Sequence, residues 1–162
     1  MGRRSTKENK SIWQTTREEL GLTREKAADL IPGFSPERIE KIENARTQIQ
    51  PEDVLLLAEY YRAPALLNHY CCEDCPIGQV HAVRTESKEL AQIAVETLNA
   101  VNRLNRNRDR LLEIVEDGQV QDDEYDDFVE IKATLDRIAL SVSSLQLWVD
   151  EQIAAGKLEK PE

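Results

Sequence analysis

The densest group of potential ligands in the chain is HYCCEDCPIGQVH, residues 69–81. It offers His69, Cys71, Cys72, Cys75 and His81. Cys72 and Cys75 stand at the C-x-x-C spacing of a zinc knuckle, and the two histidines would complete a four-ligand site. Glu73 and Asp74 make the local field attractive to a cation. No second C-x-x-C follows, so a structural role competes: a thiol filling a small apolar gap at a helix end, with no cofactor bound. Redox sensing is the third reading. An odd, clustered cysteine count does not describe a disulfide framework.

Nothing else in the sequence is arranged for catalysis. There is no Ser/His/Asp grouping, no glycine loop to cradle phosphate and no H-E-x-x-H. The acidic run QDDEYDD, residues 121–127, lacks the order of a calcium loop and reads as the start of a helix. The chain is expected not to be an enzyme.

The elements around these residues are helical. Apolar residues make up 40% and charged residues 32% of the 162, with few aromatics, as in an all-α protein. The net charge of −10 is unevenly spread: residues 1–50 carry ten basic and eight acidic side chains, and the remaining 112 carry eleven and twenty-three. No apolar run has signal-peptide length or approaches the ~18–20 residues that span a bilayer. The expectation is a cytoplasmic protein with no membrane contact.

Periodicity and caps divide the chain as follows. Residues 1–10 form a flexible basic tail whose Arg3, Arg4, Lys7 and Lys10 could meet phosphates. A first helix over 11–22 places Ile12, Trp13, Thr16 and Leu20 on one face and stops at Gly21. Thr23 caps a second, to about Leu30, and IPGF breaks it. Ser35 caps a third, with Pro36 at its first position, where a missing N–H costs nothing. A fourth opens at Pro51, and residues 63–70 make a short fifth. Residues 71–86 have no period and read as a Cys-containing linker. Residues 87–156 read as two long helices in an antiparallel hairpin, with 157–162 a tail. In the first of these Leu90, Ala94, Thr97, Val101, Leu104, Leu111 and Val115 form a stripe. In the second the stripe is Phe128, Ile131, Leu135, Ile138, Val142, Leu145 and Val149. Leu112, Ile114, Leu140, Leu147 and Trp148 lie off the stripes, and these extra faces point to a homodimer through residues 87–156, the alternative being a hairpin folded back on the N-terminal domain.

LGLTREKAADL, then FSPERIEKIENARTQIQPEDVLLLAEYYRAPALL, resembles the lambda-repressor-like, Cro-repressor-type (XRE) helix-turn-helix family over residues 10–70. The carriers are LGLT, Ala28 at a tight helix contact, the I-x-K-I-E-N that ends helix three, and an apolar fourth helix. The resemblance implies a five-helix DNA-binding domain, followed here by the long helical hairpin. It implies that helix three enters the major groove of double-stranded DNA. Pro36, Glu37, Arg38 and Lys41 would then face the groove and Arg24, Asn44 and Arg46 the phosphates, with Ser35 in the same DNA-binding set. It also implies that Glu43 pairs with Arg17. The turn at Ile31–Phe34 is one residue longer than usual, and Pro36 and Glu37 stand where the family places side-chain donors. Glu37 could accept from cytosine N4, and Pro36 can only touch a thymine methyl. The expected function is a dimeric, sequence-specific transcriptional repressor. Two alternatives stay open: a helix-turn-helix scaffold used for protein–protein interaction, as in an antitoxin or adaptor, and a metal- or redox-responsive variant of the regulator.

Overall fold

The computed structural model describes residues 10–116 and 118–160. Among them the secondary structure is entirely helical. The chain divides into two compact units, one built from the residues up to Ala82 and from Asp150 on, the other Val83–Val149.

The first unit begins with α1 (Ile12–Glu19), α2 (Arg24–Leu30) and α3 (Pro36–Glu43). It continues with α4 (Pro51–Tyr60), α5 (Ala65–Glu73) and the short α6 (Gly78–His81). The caps are where local chemistry puts them. Ser11, Thr23 and Ser35 each accept the backbone N–H of the third residue of the helix they open. Gly21 leaves α1 at φ +68° and Gly33 turns the chain between α2 and α3 at φ +78°, a conformation that favours glycine. α3 packs against both α1 and α2, and α4 against α5. Trp13, Ile31, Ile39, Ile42, Val54, Leu57, Tyr61 and Leu66 form the core. On α1 the buried face is Trp13, Gln14 and Arg17, while Leu20 is exposed. The fully buried alanine of α2 is Ala27, and Ala28 is half-buried.

The stretch 71–86, which has no period of its own, is partly helical. α5 continues through Cys71 and Cys72, and α6 folds back on it. Gly78 permits that return, since a Cβ there would overlap the Cys71 carbonyl.

The second unit holds α7 (Leu90–Arg106), α8 (Arg108–Ile114) and most of α9 (Tyr125–Ala154). The single helix expected over 87–115 is interrupted at Asn107, whose ψ is 7°. Asn is a weak helix former because its amide competes for backbone hydrogen bonds. Arg110 of α8 binds Asp127 at 2.6 Å, tying α8 to the acidic start of α9. The stripes also differ from expectation. Ile93, Ala100 and Ile114 are buried, whereas Leu90, Val101 and Val115 are exposed. On α9 the buried side chains are Ile131, Thr134, Ser141, Ser144 and Leu147, whereas Leu135, Val142 and Leu145 are exposed. So two residues expected on the outer faces, Ile114 and Leu147, are core, and part of each expected core stripe faces outward.

Candidate nucleic-acid interface

α2, the turn and α3 are held together by one buried carboxylate. Arg17 reaches Glu43 through two nitrogens, at 2.5 and 3.1 Å, and donates a third bond to the Leu22 carbonyl at 2.6 Å. Arg24, from the first turn of α2, reaches the same carboxylate at 2.8 Å. Arg17 and Glu43 are 5% and 4% exposed, so water offers neither a substitute partner. Burial works against the Arg17 charge, and the hydrogen bond and charge of Glu43 outweigh it, so the guanidinium is held more firmly protonated than usual. This network locks α1, α2 and α3 into one body. About a third of the Arg24 side chain remains exposed.

On α3 the expected groove positions divide into anchored and open groups. Ser35 accepts the Arg38 backbone N–H at 3.2 Å. Glu37 turns back toward the helix start, where its own N–H and the Ser35 hydroxyl hold its carboxyl below the usual carboxylate range. Thr23 and Glu25 repeat the device at the start of α2. Arg38 is not free: its Nη2 donates to both Asp53 oxygens, at 2.7 and 2.9 Å, and its guanidinium lies 5.2 Å from the Phe34 ring centre. The side chain is nonetheless 46% exposed, and its Nε and Nη1 hydrogens remain available. Lys41 is exposed and makes no ion pair among the described residues. The direct Glu37–Lys41 pair that i,i+4 spacing invites does not form, and Lys41 acts on Glu37 only as a nearby charge.

Asn44 closes the far end of α3 by donating to the Glu40 carbonyl at 2.9 Å. Ala45 then takes φ +52°, and the Arg46 amide returns to the Lys41 carbonyl at 2.8 Å. Arg46 lies 3.3 Å from Glu40, both exposed. All three glutamates of α3 therefore have an assignment within the fold. Glu43 is neutralised by two arginines, Glu40 by Arg46, and Glu37 completes the cap.

Asp53 is the participant that sequence reasoning missed. Its place in the first turn of α4 marks it as an acidic helix start, and nothing local connects it with Arg38, fifteen residues earlier. The tail residues Arg3, Arg4 and Lys7 lie outside the described residues, and Lys10 pairs with Glu18 at 2.7 Å.

This geometry is that of a recognised module, and residues 14–69 match the family model of a helix-turn-helix domain. Residues 14–69 are a helix-turn-helix domain of the lambda-repressor-like kind. No curated protein and no solved structure matches the chain. At the coarse level the helix-turn-helix domain points to DNA binding. No helix among the described residues is long and apolar enough to cross a membrane.

The Cys/His cluster is not gathered into a cage. No three His, Cys, Asp or Glu side chains among the described residues are grouped to hold a metal ion. His69 is set edge-on to Trp13, with ring centres 5.7 Å apart. Cys72 lies against Asn68, and Cys75 accepts the Gly78 N–H. Burial, together with its neighbours Cys75 and Cys72, pushes the Cys71 thiol up, away from the thiolate that metals and oxidants require.

Proposed function

We propose that the protein is a sequence-specific DNA-binding transcriptional repressor that acts as a homodimer in the cytoplasm. One observation carries the reading: within a helix-turn-helix domain, α3 presents Arg38 from its first turn and Lys41 from its last outward, with Arg38 pre-oriented by Asp53. An arginine gripped through Nη2 has lost its rotamer freedom before it meets a base, so binding does not have to remove it. Its Nε and Nη1 hydrogens, on different sides of the guanidinium, can each donate a single bond to a base acceptor or a phosphate oxygen. Lys41 supplies a second cation one turn along, and Pro36 and Glu37 line the same helix start. Arg24, Asn44 and Arg46 flank this surface and would meet the phosphate backbone.

The dimer would form through residues 87–156. Leu98 and Val101 on α7, and Leu135, Val142 and Leu145 on α9, are large aliphatic side chains left in water. A second copy covering them would set two half-sites about one DNA turn apart, ~34 Å.

The test uses the full chain and the DNA upstream of its own gene, at several salt concentrations. Wild type should bind selectively and lose affinity steeply with salt. Arg38→Ala with Lys41→Ala should abolish selectivity and flatten the salt dependence by about one power per phosphate contact removed. Failure of the wild type to retain any sequence selectively from a random pool would overturn the proposal and favour use of the scaffold for protein binding.

A further inference from the structure

The second unit carries 14 acidic and 8 basic side chains over residues 83–149, yet three of its arginines converge on one cleft. Arg103 and Arg106 come from the last turn of α7, and Arg137 from the middle of α9. The cleft has a volume of about 600 Å³, within the range that holds small organic ligands. None of the three arginines has an ion-pair partner among the described residues, although carboxylates abound in this unit. Elsewhere in the unit the pattern is the reverse: Arg108 pairs with Asp109, and Arg110 with Asp127. The acidic residue of the cleft, Glu96, is already neutralised by Lys88 at 2.7 Å. The field in the cleft is therefore that of the three guanidinium groups.

The end of a helix accounts for part of this, since cations are favoured in a last turn. It accounts for Arg103 and Arg106 but not for Arg137, which lies seventeen residues before the end of α9. Gathering three like charges raises the energy of the empty cleft, and a cleft lined by one sign of charge focuses its field on a counter-ion. Asn99 and Asn102 add amide donors and acceptors to the same wall. On α7, Asn99, Asn102, Arg103 and Arg106 fall within about a third of the helix circumference, at 3.6 residues per turn. Leu90, Leu98 and Val101 occupy a different arc, so the aliphatic surface and the cationic cleft do not compete for one occupant.

We infer that this cleft binds a small organic polyanion, a molecule carrying a phosphate group or several carboxylates, clamped by Arg103, Arg106 and Arg137. Guanidinium groups match both anions through paired N–H bonds, so the two sources share one recognition chemistry. The inference concerns the second unit alone and stands whatever the first unit binds.

The test is calorimetric titration of the full chain with inorganic phosphate, pyrophosphate and citrate at constant ionic strength. The expected result is saturable binding of one molecule per chain by at least one of the three. Preference for pyrophosphate would name a phosphorylated ligand, and preference for citrate a polycarboxylate. Arg103→Gln with Arg137→Gln should weaken binding about ten- to a hundred-fold, the effect of removing charged hydrogen bonds, while Arg108→Gln leaves it unchanged. Because the substituted side chains are exposed, folding should be unaffected, and circular dichroism checks this. If the double variant does not fold, wild-type thermal stability decides, and must rise with the anion above its value in equimolar chloride. Absence of saturable binding at millimolar concentration, or equal binding by a folded double variant, would overturn the inference. So would loss of duplex DNA binding in that variant with no small-anion binding in wild type, which would make the cleft a nucleic-acid surface.

Discussion

Replacing Glu43 with glutamine should destabilise the first unit on the scale of truncating a core side chain. The substitution preserves shape and removes the charge that two arginines share. Arg17 is 5% exposed, so its guanidinium cannot turn to water when the carboxylate goes. Two Arg17 bonds and one Arg24 bond end on Glu43; glutamine keeps one acceptor oxygen for them, and otherwise Arg17 retains the Leu22 carbonyl and Glu18 at 3.9 Å. Breaking a buried pair by removing one partner costs about 3–5 kcal/mol. A domain of this size, at roughly 0.05–0.15 kcal/mol per residue, holds only about 3–9 kcal/mol in total. The loss is therefore a large fraction of the domain's stability, and residues 11–70 should unfold at a much lower urea concentration. Urea denaturation followed by far-ultraviolet circular dichroism should show early loss of part of the helical signal. Removing both charges, as in Arg17→Met with Glu43→Leu, should recover much of the loss, because well-packed apolar side chains often equal a buried pair. Glu37→Gln, at an exposed cap, is the control and should change little. A loss under about 1 kcal/mol for Glu43→Gln would refute the claim that this carboxylate holds the three helices together.

Further expectations follow from the same contacts. Asp53→Asn should leave Arg38 exposed but unanchored, lowering selective DNA affinity by about ten-fold, as for one charged hydrogen bond, with nonspecific retention kept; unchanged selectivity in a binding assay would remove Asp53 from its positioning role. Leu98→Glu with Leu145→Glu should yield monomers in sedimentation equilibrium if those side chains form the subunit contact, and an unchanged mass would exclude it. Burial, with Glu43 adding and Arg17 opposing, pushes the Tyr61 phenol up to about 12. The unfolded chain loses this proton near pH 10, as an ordinary tyrosine does, while the fold keeps it, so stability should fall between about pH 10 and 12, by on the order of 2 kcal/mol. Tyr61→Phe should flatten that part of the urea-midpoint profile. Among the described residues the Ser144 hydroxyl is buried without a hydrogen-bond partner, and Ser144→Ala should hold or raise the urea midpoint, by up to ~1–3 kcal/mol in stability.

The first unit was legible where the deciding chemistry is local. Thr23 and Ser35 cap because a hydroxyl before a helix satisfies an N–H within three residues, and Pro36 and Pro51 fit first-turn positions for the same local reason. The Arg17–Glu43 pair spans 26 residues and was expected only because a resemblance supplied it. Arg38–Asp53, equally specific, had no such guide. It depends on how the start of α3 meets the start of α4, and no spacing rule contains that approach. Arg24, expected to be a phosphate contact alone, is also structural for the same reason. The Cys/His spacing suggested ligands, but spacing along a chain does not make side chains converge. α5 carries Cys71 and Cys72 on consecutive positions, about 100° apart around the helix, and His69 goes to Trp13.

The second unit was harder to read because its helices carry two apolar faces each, and periodicity cannot say which is the inside. On α9 an unbroken 3–4 stripe runs from Phe128 to Val149, which by pattern alone is the core face. The fold buries Ile131 from that stripe, then Thr134, Ser141 and Ser144. Those three side chains are small and polar, so a 3–4 rule built on large apolar residues passes over them. The consequence is an outward row of aliphatic residues, each worth ~1.5–3 kcal/mol if fully buried. A chain of this charge has no lack of polar residues for a surface, so a row of Leu135, Val142 and Leu145 in water is not the cheapest arrangement for a monomer. The pattern that misreads the interior of one chain is thus the physical argument for a second copy. Ile114 and Leu147, though off the stripes, are interior, so a partner copy has Leu135, Val142 and Leu145 to cover and not those two.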